Sequence, residues 1–137
     1  MAIAHGSTTA AENSSTNQLD ITNVTVTGTN AVLVVLIAYK SGTAGKISRV
    51  TWDSAGVGEG MTLLGSEVGS GNSNSSMYYL AAPTAKTATV TVDLSANKRI
   101  VAAAQVYTGV HQTAPFRTAS FASATGTNNN PTVNVVA

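Results

Sequence analysis

Apolar residues come in short runs and alternations, and no stretch carries the 3.6-residue stripe of an amphipathic helix. Leu19, Ile21, Val24 and Val26 sit in a Thr-rich stretch that ends at Gly28-Thr29-Asn30, and Val24 to Thr27 alternates apolar with hydroxyl as a half-buried strand does. Ala31 to Tyr39 is continuously apolar and β-branched, with a turn at each end, which predicts a central strand buried on both faces. Ile47, Val50 and Trp52 predict a third strand. The glycine-rich segment from Asp53 to Gly60 reads as a loop, and Met61 to Val68 as a fourth strand. Gly69 to Ser76 is the longest polar run and reads as a flexible loop tip, followed by a fifth strand over Met77–Leu80 that Pro83 closes.

Thr87 to Leu94 is the cleanest alternation. It puts Ala88, Val90, Val92 and Leu94 on one face and Thr87, Thr89, Thr91 and Asp93 on the other. Ser95 to Lys98 reads as a turn, Arg99 to Thr108 as a seventh strand, Pro115 to Phe121 as an eighth, Thr125 to Asn130 as a loop and Thr132 to Val136 as a ninth. Short strands at this spacing predict an all-β fold, an antiparallel two-sheet sandwich of jelly-roll kind with eight to nine strands. Its core should hold Val34, Leu36, Val50, Trp52, Leu63, Leu80, Val90, Val92, Val101 and Val106. Residues 19–137 form the sandwich in this reading. Residues 1–18, rich in Ser, Thr and Asn, form an N-terminal arm that is loose in a monomer and orders on a partner.

Composition narrows the function. Of 137 residues, 34 are Ser or Thr and 11 are Asn, whereas charged residues are 9% and the formal net charge is +1. The surface is thus solvated by hydroxyls and amides. Seven scattered cations make no basic patch for nucleic acid. With no cysteine there is no thiol nucleophile, disulfide or Cys-ligated metal. The longest apolar run, nine residues, is short of the ~20 a membrane helix needs. The N-terminus lacks the basic and apolar regions of a signal peptide, so a soluble chain, not secreted by that route, is expected.

Candidate chemistry is sparse. His5 lies in a Gly/Ser/Thr stretch, and His111 sits in a turn without a second histidine or carboxylate near it in sequence. Gly56, Gly58 and Gly60 alternate, but a strand pattern follows them, not the helix N-terminus that a phosphate cradle needs. Asp53 and Glu59 flank that loop without the alternating ligand spacing of a calcium site. Trp52 should point inward with Val50, and of the adjacent Tyr78 and Tyr79 one must face out, which is too little for a sugar-stacking platform. No catalytic, cofactor or metal residue is assigned, and no enzyme activity is expected.

Four segments in order carry a resemblance: Val32–Tyr39; Ile47–Trp52 leading to Met61–Leu64; Met77–Pro83 followed by Thr87–Val92; and Val106–Phe116. Together they resemble a family of β-sandwich domains of tailed-phage virion proteins and large bacterial surface proteins, over roughly residues 19 to 121. That family more often has Asp where this chain has His111. The resemblance implies a non-enzymatic virion structural protein, a capsid decoration protein or a head or tail fibre module. It would assemble in the host cytoplasm and dock on the major capsid protein or another virion protein as a homo-oligomer such as a trimer, without nucleic acid or membrane. The alternative is a cell-surface adhesin or carbohydrate-binding module of a bacterium, extracellular or on the cell surface. Residues 131–137 alternate like a strand with an unfinished edge and are a second candidate contact with a partner.

Overall fold

The structure is a computed structural model and describes residues 2–43, 45–68 and 72–116. It is all-β and antiparallel, with hardly any helix. The strands are β1 (Ala4–Thr25), β2 (Val32–Lys40), β3 (Ile47–Trp52), β4 (Glu59–Gly60), β5 (Thr62–Val68), β6 (Ser73–Ala81) and β7 (Thr87–Thr108). All seven belong to one hydrogen-bonded sheet in the order β4-β3-β7-β2-β6-β5, with β1 on the other edge of β7.

The two 22-residue strands explain the architecture. The first half of β7 lies between β3 and the second half of β1, with Val90 opposite both Trp52 and Ile21. Its second half lies between β2 and the first half of β1, with Ala104 opposite both Val35 and Thr9. Between the halves the ladder loses register: Thr16 pairs with Lys98 and Gln18 with Asp93, which leaves Leu94 to Asn97 of β7 opposite Asn17 alone. Such irregularities bend strands, and the sheet curls into a nearly closed, barrel-like form. Val90, Val92 and Leu94 from one half of β7 and Ile100, Ala102, Ala104 and Val106 from the other therefore meet in a single core, with Ile21, Leu33, Val35, Ile37, Val50 and Trp52. The parity of β7 never changes along its length, so one face of one strand serves the whole core.

Several expectations change. Ser95–Lys98 is continuous strand, not a turn: β3 pairs with β7 up to Leu94, the Lys46 carbonyl accepts from the Ser95 N–H, and β1 pairs again at Lys98. Ser73–Ser76 opens β6, paired with Ile37–Lys40, so that part of the expected loop tip is strand, and residues 69–71 lie outside the described residues. The expected arm is strand from Ala4 onward, registered on β7. Its core-facing positions are Ala, Thr and Ser, which is why hydrophobic patterning does not reveal it. Of the expected core, Val34, Val50, Trp52, Val90, Val92 and Val106 are buried and Leu80 is half-buried. Leu36 (36% exposed) and Val101 (46%) instead lie on the outer side of the sheet, and Leu63 (49%), although it pairs with the inward Tyr78, is exposed on β5. The strand at Ala31–Tyr39 is buried on both faces only as far as Val35. Beyond that Leu36 and Ala38 are exposed while Ile37 and Tyr39 stay inside. Thr91, placed on the solvent face, is buried between Asp20, which accepts its hydroxyl at 2.7 Å, and the Ser54 hydroxyl at 2.7 Å. Pro115 and Phe116 form bends rather than a strand start. The rest of the eighth strand, the loop at 125–130 and the ninth strand lie outside the described residues.

Candidate functional site

The residues singled out for chemistry are all committed to shaping the chain. Asp53 has a left-handed backbone (φ 54°), which a non-glycine residue adopts only when its surroundings hold it there. Its carbonyl accepts from the N–H groups of Gly56 (2.9 Å) and Gly58 (3.0 Å), and its carboxylate accepts from the Val57 N–H at 3.1 Å. Lys86 donates to the same carboxylate oxygen. The Lys86 ammonium and the Val57 N–H hold this carboxyl below the usual carboxylate range, although burial opposes them. Gly56 is required for closeness: a Cβ there would lie 2.3 Å from the Asp53 Oδ2. Glu59 turns instead to the Thr84 N–H, at 3.1 Å. The two carboxylates therefore organise neighbouring turns. Among the described residues no group of three or more His, Asp or Glu side chains gathers where it could hold a metal ion.

His5 Nε2 lies 2.9 Å from the Thr8 hydroxyl, and its ring meets Tyr107 edge-on at 5.5 Å. His111 Nδ1 accepts from the Ala114 N–H at 3.2 Å and lies 3.2 Å from the Thr113 hydroxyl, closing a local turn. Trp52 is fully buried and donates its Nε1–H to the Thr84 carbonyl at 3.3 Å. Tyr78 packs against the inner core and Tyr79 against the outer cluster, as adjacent strand residues must. Burial, and then the neighbouring Tyr39, push the Tyr78 hydroxyl up from its ordinary value.

Two features remain that sequence reasoning missed. The first is the outer face of β6, β2 and β7. Paired residues share a face, so register builds it row by row: Ala81, Val32 and Tyr107; then Tyr79, Val34 and Gln105; then Met77, Leu36 and Ala103; then Ser75, Ala38 and Val101. The chain after β7 crosses the first two rows. Val110 is anchored by its N–H to the Asn30 carbonyl at 3.0 Å, and Phe116 meets Tyr79 edge-to-face at 4.9 Å. These residues bury Val32 and Val34 in a second apolar cluster. Among the described residues nothing crosses the next two rows, which form a shallow apolar depression lined by Leu36, Met77, Val101 and Ala103. No sequence signal marked it, because β2 is apolar from Val32 to Tyr39, and only the structure shows that Leu33, Val35, Ile37 and Tyr39 fill the inner face.

The second is the edge of β1. Among the described residues Ala4–Asn13 pairs with β7 and with no other strand. An edge of this kind is usually blunted by lysines, prolines or bulges. Here Glu12 is the one full charge, His5 the one other ionisable group, and a single register shift between His5 and Ser7 the one irregularity before Asn13.

Compared with protein-family models, curated proteins and solved structures, the chain matches none.

Proposed function

We propose that this chain is a non-enzymatic structural module that docks on a virion: a capsid decoration protein or a head or tail fibre module of a bacteriophage, acting as a homo-oligomer. In this reading the bent sheet is a two-sheet sandwich of jelly-roll kind with eight to nine strands. The observation that carries the docking role is the weakly protected edge of β1, where Ala4–Asn13 offers main-chain donors and acceptors to a partner strand. The expected arm becomes an edge, and the docking mode becomes strand addition rather than ordering of a loose tail. A composition with 9% charged residues suits contacts made by main chain and apolar surface. The virion itself enters through the resemblance of the four segments to phage β-sandwich domains.

The test places lysines where nature places them on edges to be kept free. Thr8 and Ala10 are both exposed on β1. The double variant Thr8→Lys, Ala10→Lys should keep its far-UV circular dichroism and lose co-sedimentation with capsids of the parent phage. Full retention of co-sedimentation would discard the edge as the docking element. Binding of the unaltered protein to bacterial cells or glycans, and not to particles, would replace the virion reading with the adhesin one.

A further inference from the structure

A strand edge as little protected as Ala4–Asn13 pairs with other chains, and in a solution of this protein the chain at hand is a second copy. Two equal edges meet antiparallel about a two-fold axis, each residue opposite the one equally far from the axis on the other side. Directly opposed residues share a face of the joined sheet. The axis must therefore pass through a residue rather than between two, so that outer-face residues meet outer-face residues.

Register with β7 says which residue. Thr8, Ala10 and Glu12 oppose Gln105, Ala103 and Val101 on the outer face, whereas Ser7, Thr9 and Ala11 oppose Val106, Ala104 and Ala102 of the inner core. Gly6 is the extra residue between His5 and Ser7, so His5 opposes Tyr107 and returns to the outer face. His5, Thr8, Ala10 and Glu12 are all exposed there. With His5 and Gly6 counted as one step, Glu12 lies three steps to one side of Thr9 and His5 three steps to the other. An axis through Thr9 sets Glu12 of each copy opposite His5 of the other, twice over. An imidazole can donate to a carboxylate whether it is neutral or protonated, and among the described residues Glu12 has no ion pair within its own chain. An axis through Thr8 or Ala10 leaves Glu12 without that imidazole. Nearer the Thr9 axis the opposed pairs are Thr8 with Ala10 and Ser7 with Ala11, none of them bulky or charged.

From this geometry we propose that the free protein is a two-fold dimer in which β1 pairs antiparallel with β1 of a second copy about Thr9. The sheet then runs unbroken from one copy into the next, and the two Glu12–His5 pairs fix its register. The proposal rests on the reading of β1 as the docking edge and names what covers that edge before docking, when a strand of the particle displaces the second copy.

The chain has no cysteine, so one introduced thiol reports the register. Opposed Cα atoms of an antiparallel pair are ~4.5–5.5 Å apart, within the ~4.4–6.8 Å that a disulfide spans. Thr9→Cys should therefore oxidise to a linked dimer. Ala11→Cys should not, because its two thiols would lie four steps apart along the strands, more than ~13 Å. Sedimentation equilibrium of the unaltered protein should give twice the 13.8 kDa chain mass. Glu12→Lys should raise the dissociation constant about fivefold through loss of two cross-strand pairs, and adding His5→Glu should restore it. A monomer or a trimer throughout the range up to millimolar protein would overturn the proposal. So would linkage of Thr9→Cys no faster than that of Ala11→Cys, or an unchanged constant in Glu12→Lys. Particles separate this inference from the virion reading. The oxidised Thr9→Cys dimer should fail to co-sediment with capsids until it is reduced. If the dimer forms and its linked and reduced states sediment alike with particles, the dimer stands and β1 fails as the docking edge.

Discussion

At the scale of single residues, the loop after β3 is held by one carboxylate. Asp53 takes a left-handed backbone, caps Gly56 and Gly58 through its carbonyl, and binds Lys86 and the Val57 N–H through its side chain. Gly56→Ala would push a Cβ to 2.3 Å from a carboxylate oxygen whose two partners prevent it from yielding. The variant should lose about 1–3 kcal/mol, as overpacking does, measured by urea unfolding. The same carboxylate sets an acid dependence. Its folded pKa lies below the ordinary 3.8, so at low pH the unfolded chain takes up the proton first. The stabilisation is present above 3.8 and is lost as pH falls through the folded value. The urea midpoint should therefore drop below pH 3.8, and Lys86→Met should weaken that drop by removing the partner that lowers the pKa most.

At the scale of elements, β2 separates the two faces of the sheet. Leu33 is fully buried in the inner core, whereas Leu36 is 36% exposed on the outer face. Leu33→Ala should cost about 2–5 kcal/mol, the range for truncation inside a packed core. Leu36→Ala should cost clearly less, and equal losses in urea unfolding would show that both faces are packed alike. Here the limits of the sequence are physical. Strands with apolar alternation (Val24 to Thr27, Thr87 to Leu94) were legible, as were the inward Trp52 and the split between Tyr78 and Tyr79. Ala31–Tyr39 was legible as a strand but not in its facing, because a run apolar at every position hides which parity is inside. The first half of β1 was illegible, because Ala, Ser and Thr carry no hydrophobic signal and its order comes from pairing with residues about a hundred positions away. Ser95–Lys98 has turn chemistry, and only the unbroken even parity from Val90 to Val106 hinted that β7 runs straight through. Of the candidate site, His111 and the acidic pair were visible but turned out to brace turns, and His5 lies within β1 against Thr8 and Tyr107. The open outer face and the β1 edge needed register to be seen.

At the scale of the whole molecule, very little is held by charge. Among the described residues the ion pairs are Arg49–Asp93, whose arginine side chain is 67% exposed, and Lys86–Asp53. An exposed pair like the first contributes at most about 1 kcal/mol and is screened by salt, whereas the second, with its carboxylate buried, is screened much less. The core is one apolar cluster reached from both halves of β7, and the β1 edge offers neutral main-chain groups. Neither weakens when the screening length shrinks to about 3 Å at about 1 M salt. The thermal midpoint in sodium chloride should therefore change little between about 0.1 and 1 M, and so should co-sedimentation with particles. Sodium chloride is the salt to use, because sulfate or phosphate would strengthen apolar burial and mask a loss of ion pairing. If about 1 M sodium chloride released the protein from particles while its thermal midpoint held, docking would rest on charged side chains. Strand addition at β1 would then not be the principal contact, since hydrogen bonds between neutral backbones do not dissociate by screening.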